Sequence, residues 1–118
     1  MQNPRVERVT QELQQEVARI LHREIKDPEL GFVTVTRMEL SKDLRHAKVW
    51  FSCLGSQVDR EASQAVMQRS ARYIHSLLKK RFRLKVIPEL QFHYDASIEG
   101  SIAMSDTLDR LKAPPHNP

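Results

Sequence analysis

The sequence predicts an α+β domain: a three-stranded mixed sheet with helices packed on one face. Three observations lead there. A long stretch near the start repeats apolar residues every three or four positions, as a helix buried along one side does. Two short runs of alternating apolar and polar residues follow, as half-buried strands do. A second helical stretch then runs into a third alternating run. The first two runs are close enough to pair as an antiparallel hairpin, and the strand–helix–strand order after them implies a crossover and a parallel pairing.

The first helix is predicted from about Asn3 to Lys26. Val6, Val9, Leu13, Val17, Ile20, Leu21 and Ile25 share one side, and Arg5, Glu7, Arg8, Glu12, Glu16, Arg19 and Arg23 form the wet side. Asn3 suits a cap and Pro4 the first helical position. Asp27 is pushed out of helical conformation by Pro28, and Gly31 supplies a turn. Phe32 to Leu40 reads as a strand whose apolar phase changes from Val33 and Val35 to Met38 and Leu40, which predicts a bulge near Thr36-Arg37. Ser41 to His46 is polar and turn-like, with Ser41 and Asp43 able to bond local backbone. In the next strand Ala47, Val49, Phe51 and Cys53 face inward and Lys48, Trp50 and Ser52 outward, so Cys53 is expected as a small buried side chain.

Ala62 to Pro88 contains no Asp or Glu in a chain that is 29% charged, and it holds Arg69, Arg72, Lys79, Lys80, Arg81, Arg83 and Lys85. An early apolar stripe of Val58, Ala62, Ala65 and Val66 lies roughly 100° out of phase with a later stripe of Tyr73, Ile74, Leu77 and Leu78 on one ideal helix. This predicts a kink at Ser70-Ala71-Arg72. Arg72, Ser76, Lys79 and Lys80 lie opposite the later stripe. The third strand is read with Leu84, Val86, Leu90, Phe92 and Tyr94 on one face and Arg83, Lys85, Glu89, Gln91 and His93 on the other. Pro88 inside it argues for an edge position or a bulge. A short helix is expected from about Ser101. Residues 1–112 are expected to form one domain, and the Pro-rich stretch 113–118 a disordered tail.

The chain has 118 residues, 40% of them hydrophobic, which fits one domain with one core. A net charge of +4 favours an anionic partner, most often nucleic acid. The single cysteine allows no internal disulfide, in keeping with a reducing cytoplasm. No signal peptide is visible, and no stretch approaches the ~20 apolar residues of a membrane span.

Cations along one face can track an RNA backbone and release its counterions. Arg69, Arg72, Lys79, Lys80, Arg81, Arg83 and Lys85 are therefore the candidate RNA contacts, with Arg81 the nearest to the apolar side. The opposing view is a solvated face neutralised by acids elsewhere, such as Glu39 or Asp43. Arg5 and Arg8 are auxiliary phosphate candidates. Trp50 beside Lys48 offers a stacking platform, although such a Trp more often covers apolar surface. His22, His46, His75, His93 and His116 show no ligand spacing, and no catalytic constellation, phosphate loop or cofactor motif is found. A non-enzymatic RNA-binding protein and an adaptor whose basic face meets an acidic protein both fit the window.

The segments IKDPELGFVTVTRMELSKDLRHAKVWF and RLKVIPELQFHYDASIEGSIAMSDTL carry a resemblance to the ribosome-binding factor A family. With the first helix they cover nearly all of the chain up to about Leu111. The resemblance implies a type II KH-like fold without a GxxG loop. It also implies binding to the free or immature 30S small ribosomal subunit and its 16S rRNA, in late maturation and especially in the cold. A cytoplasmic monomer is implied, with neither DNA nor a membrane as partner, and with other assembly factors or a GTPase acting alongside. The family breaks its helix at an Ala-x-Gly. Here Ser70-Ala71-Arg72 stands at those positions, with Arg72 in place of the glycine.

Overall fold

The computed structural model describes residues 4–97. The elements run α1 (Pro4–Arg23), β1 (Phe32–Leu40), β2 (His46–Leu54), α2 (Gln57–Arg69), α3 (Ala71–Arg81) and β3 (Glu89–Tyr94). The helix expected from Ser101, the tail 113–118 and the cap at Asn3 lie outside the described residues.

Helix α1 buries Leu13, Val17, Ile20 and Leu21, the middle of its apolar side. Asp27 then makes the turn: its carboxylate accepts from the Glu29 amide at 2.9 Å, and its carbonyl from the Leu30 amide at 3.0 Å. Gly31 serves a different end from the turn expected of it. Its amide donates to Ser63 Oγ of α2 at 2.9 Å, and a Cβ there would stand 3.4 Å from that oxygen. That bond ties the loop after α1 to α2.

Strands β1 and β2 pair antiparallel, with a register shift between Val35 and Arg37. The change of apolar phase thus corresponds to a bulge. The hairpin loop is held by Ser41 and Asp43. The Ser41 hydroxyl donates to Asp43 at 2.7 Å and accepts from the His46 amide at 3.0 Å, and Asp43 accepts from the Arg45 amide at 3.0 Å. Central strand β2 pairs parallel with β3, His46 opposite Glu89 through Phe51 opposite Tyr94, giving the order β1-β2-β3. Val33, Met38, Ala47, Val49, Phe51, Leu90 and Phe92 are buried beneath the helices. Cys53, next to the end of β2, is only half-buried; its Sγ is 3.6 Å from Ser63 Oγ.

Helix α2 starts with a capping box, Ser56 and Asp59 satisfying each other's backbone amides. Gly55 precedes it at φ 127°, a conformation that L side chains rarely adopt. The helix is interrupted at Ser70. The Ser70 amide is shared by the carbonyls of Val66 at 3.0 Å and Met67 at 3.2 Å, which tightens one turn.

The stripes assigned from sequence need correction. Val58 is 73% exposed, Ala65 is exposed and Tyr73 is 49% exposed. The buried residues are Ser63, Val66, Met67, Ile74 and Leu78. They recur at three- and four-residue steps on each side and at seven across Ser70, from Met67 to Ile74, so one wall is buried on both sides of the break. The interruption therefore does not come from two stripes competing for one surface.

The third strand also differs. Residues 82–88 are irregular, and β3 begins only after Pro88, which has no amide to give a ladder. Ile87 and Pro88 are buried there, whereas Val86 is 37% exposed. Arg83 and Lys85 accordingly project from a connector instead of from a strand face. The free edge of β3 is covered by polar side chains. Gln64 donates to the Phe92 carbonyl at 2.8 Å, Gln68 accepts from the Phe92 amide at 3.1 Å, and His75 donates to the Ile87 carbonyl at 2.9 Å. An edge so covered is closed to pairing with another strand.

Candidate nucleic-acid interface

With Ile74 and Leu78 fixed against the core, the 100° step of a helix turns Arg72, Ser76, Lys79 and Lys80 to solvent. The acid-free window offers them no partner one turn away within the helix. Lys79, Lys80 and Arg81 occupy the last turn, where cations complement the carbonyl end of the helix. The Phe82 amide closes that turn on the Leu78 carbonyl at 2.9 Å. Extended backbone at Phe82 then carries Arg83 and Lys85 away from the helix end, both exposed.

The seven candidate cations divide into two groups. Arg69 pairs with Asp27 at 2.7 Å. The Glu29 amide and the Arg69 guanidinium hold the Asp27 carboxyl below its usual range, so the pair persists at neutral pH. Arg81 turns toward α1, where it pairs with Glu16 and, at 3.0 Å, with Glu24. These two arginines clamp the halves of the broken helix to α1 and the loop after it. Arg72, Lys79, Lys80, Arg83 and Lys85 have no ion pair among the described residues. The acids that neutralise part of the window are thus Asp27, Glu16 and Glu24. Glu39 and Asp43 are engaged elsewhere, with Arg37 and with Ser41.

Arg72 also stands at the edge of an open groove of about 450 Å³ lined by Gln68, Ala71, Arg72, His75, Glu89 and Leu90. The groove follows the helix break on one side and the start of β3 on the other.

The auxiliary candidates lie elsewhere. Arg5 and Arg8 border a shallow depression with Pro4 at the start of α1. They precede Glu16, the partner of Arg81, by at least eight residues, about 12 Å of helix rise. Lys48 and Trp50 occupy the face of the sheet that is open among the described residues, across the core from α3. The Arg37 guanidinium lies 3.9 Å from the Trp50 ring centroid, and the His93 ring is 5.7 Å away. Among the described residues no group of His, Cys, Asp and Glu could hold a metal ion, and no helix is long and apolar enough to cross a membrane.

Sequence reasoning missed Tyr73, which it assigned to the core. Its only readable signal is its place in the acid-free window, next to Arg72 and in one helical row with Lys80.

A helix, an antiparallel hairpin, a broken helix and a parallel third strand, with no GxxG at the break, define a type II KH-like domain. The family profile of ribosome-binding factor A matches residues 5–108. A ribosome-binding factor A from Ralstonia nicotianae is 41% identical over 106 residues, which cover 90% of this chain and 85% of that one. The chain belongs to the ribosome-binding factor A family. Among solved structures, a Thermotoga maritima ribosome binding factor A is similar at TM-score 0.67 and 32% identity, over 79% of this chain and 91% of that one. A homology model of Thermus thermophilus ribosome binding factor A, fitted into the map of a complex with the 30S subunit, shares the fold at TM-score 0.64 and 24% identity. That match covers 75% of this chain and 93% of the other.

Proposed function

We propose that this protein is a non-enzymatic assembly factor that binds the free or immature 30S subunit through the phosphates of its 16S rRNA. It acts late in 16S rRNA maturation, in the cytoplasm, and matters most in the cold. The observation that carries the reading is the set of exposed cations without ion pairs, Arg72, Lys79, Lys80, Arg83 and Lys85, running along α3 and past its end. Family membership supports it, since a relative of the same fold is known in complex with the 30S subunit. In this reading a rigid helix face supplies positive charge at fixed spacing, and binding draws on counterion release and shape fit, with no bond made or broken. Arg69 and Arg81 hold that face in place, and residues 1–112 act as one unit.

The test is co-sedimentation of the purified protein with separated ribosomal subunits over a range of salt. The expected result is salt-sensitive binding to the small subunit and none to the large. Equal binding to both, or to neither, would overturn the reading. An acidic protein partner would then become the leading alternative.

A further inference from the structure

Tyr73 breaks the chemistry of the surface around it. Every other side chain on the outward arc of α3 is charged or hydroxylic: Arg72, Ser76, Lys79 and Lys80. A phenol in that position would ordinarily lay its ring over apolar surface or bury its hydroxyl in a hydrogen bond. Tyr73 leaves 49% of its surface to solvent, and its hydroxyl makes no hydrogen bond among the described residues. Its backbone is fixed, because Ile74 beside it is fully buried and its own carbonyl accepts from Ser76 Oγ at 2.6 Å.

Helix geometry places Tyr73 in one row with Lys80, two turns on, and roughly 100° around the axis from Arg72. The ring therefore borders the cationic strip along its length, on the side away from the groove at the helix break. A nucleic-acid strand whose phosphates follow Arg72, Lys79 and Lys80 would bring its bases to one side of that strip. An unpaired base on the Tyr73 side meets the flat of an aromatic ring; a paired base keeps its faces inside the duplex and cannot use it.

We propose that Tyr73 is a stacking site for an unpaired nucleobase, and that this makes the surface prefer single-stranded RNA over a duplex. The inference rests on the RNA-binding reading above. Stacking is indifferent to base identity, so the preference is for exposed bases and not for a sequence. It also adds no charge, which gives it a signature distinct from the phosphate contacts.

The experiment compares the parent chain with Tyr73→Ala and Tyr73→Phe, binding oligoadenylate and a blunt RNA duplex of equal charge across a salt series. Thermal melting checks that the exposed position leaves the fold unchanged. Tyr73→Ala should weaken oligoadenylate binding about ten-fold, leave duplex binding unchanged and keep the salt slope of the parent. Tyr73→Phe should bind as the parent does. Equal binding of oligoadenylate by parent and Tyr73→Ala, or an equal loss on both RNAs, would overturn the stacking site alone. Failure of the parent to bind either RNA would remove the RNA reading, and the stacking site with it.

Discussion

The outer face of α3 and the open face of the sheet lie on opposite sides of one core, and both display cations beside an aromatic ring. They differ in what those cations touch. On the sheet, Arg37 pairs with Glu39 at 3.1 Å, and Lys48 stands opposite Glu39 in the register. Arg37 also covers Trp50. The Arg37 charge is thus met within the face, whereas Lys48 is only placed across the ladder from Glu39. On α3, Arg72, Lys79 and Lys80 meet no acid among the described residues, and Tyr73 is 49% exposed. What marks a surface for an anionic partner is unpaired charge on a rigid element; the number of cations in a stretch is a poorer guide.

The contrast is broken most directly by removing Lys79, Lys80 and Arg83 together as alanines. If three phosphates lose their partners, the slope of log affinity against log salt for the small subunit should fall by about 2–3. At 0.15 M salt a slope change of that size corresponds to roughly 100-fold weaker binding relative to a 1 M reference. Filter binding or sedimentation across a salt series measures both. An unchanged slope would show that α3 is not the anion-binding face.

Next in size is a comparison inside the window itself. Arg72→Ala should lower the salt slope by about one. Arg69→Ala and Arg81→Ala should change it far less, because those side chains already neutralise Asp27 and Glu16 with Glu24. Their loss should instead appear as a lower melting temperature, since it loosens the ties to α1 and its loop. Equal slopes for all three variants would erase the distinction between paired and unpaired cations.

Acid separates the regions in another way. Asp95 is buried at the end of β3. It accepts hydrogen bonds from the side chain and amide of Ser97 and, at 2.6 Å, from Thr36 in the bulge of β1. The Ser97 hydroxyl first, then Thr36, holds its carboxyl below the usual range. A carboxyl whose folded pKa is depressed adds stability that is complete above the ordinary carboxylate range and drains away as pH falls through the folded value. Stability should thus be flat from neutral pH down to about pH 5 and fall below about pH 4. Asp95→Asn should flatten that limb while leaving subunit binding at pH 7 unchanged. Chemical denaturation at a series of pH values checks it, and an equally steep limb in the variant would exclude Asp95 as its source.

The fold was legible wherever side chains alternate against one surface. The phase change from Val35 to Met38 located the bulge, and Ala47 to Phe51 located the central strand. The helix is interrupted at Ser70, but the premise of two competing stripes was mistaken. Periodicity alone counted Val58, Ala65 and Tyr73 as buried, whereas the wall is built by Ser63, Met67 and Ile74. A serine hidden under a glycine amide carries no hydropathic signal, and a tyrosine's ring reads as apolar wherever it points. The start of β3 was misplaced because Leu84 and Val86 keep the even phase of the strand, although residues 82–88 are irregular. The cations were easy to find by composition. Their division was not, because Glu16 and Asp27 lie dozens of residues from Arg81 and Arg69 in sequence and meet them only in the fold.

The smallest expected effect tests the premise most strictly. Glu39 pairs with Arg37, so Glu39→Gln keeps the shape of that side chain and frees that cation on the sheet face. If pairing is what silences that face, the variant should gain non-specific RNA affinity, with a salt slope raised by at most about one. Lys48→Ala, which removes a cation already opposite an acid, should change binding less than about two-fold, within the scatter typical of exposed ion pairs. Should Glu39→Gln leave the slope as it was, ion pairing would not be the reason the sheet is silent. The distinction would then rest on shape: a convex helix that enters a groove of the RNA, against a flat sheet that cannot.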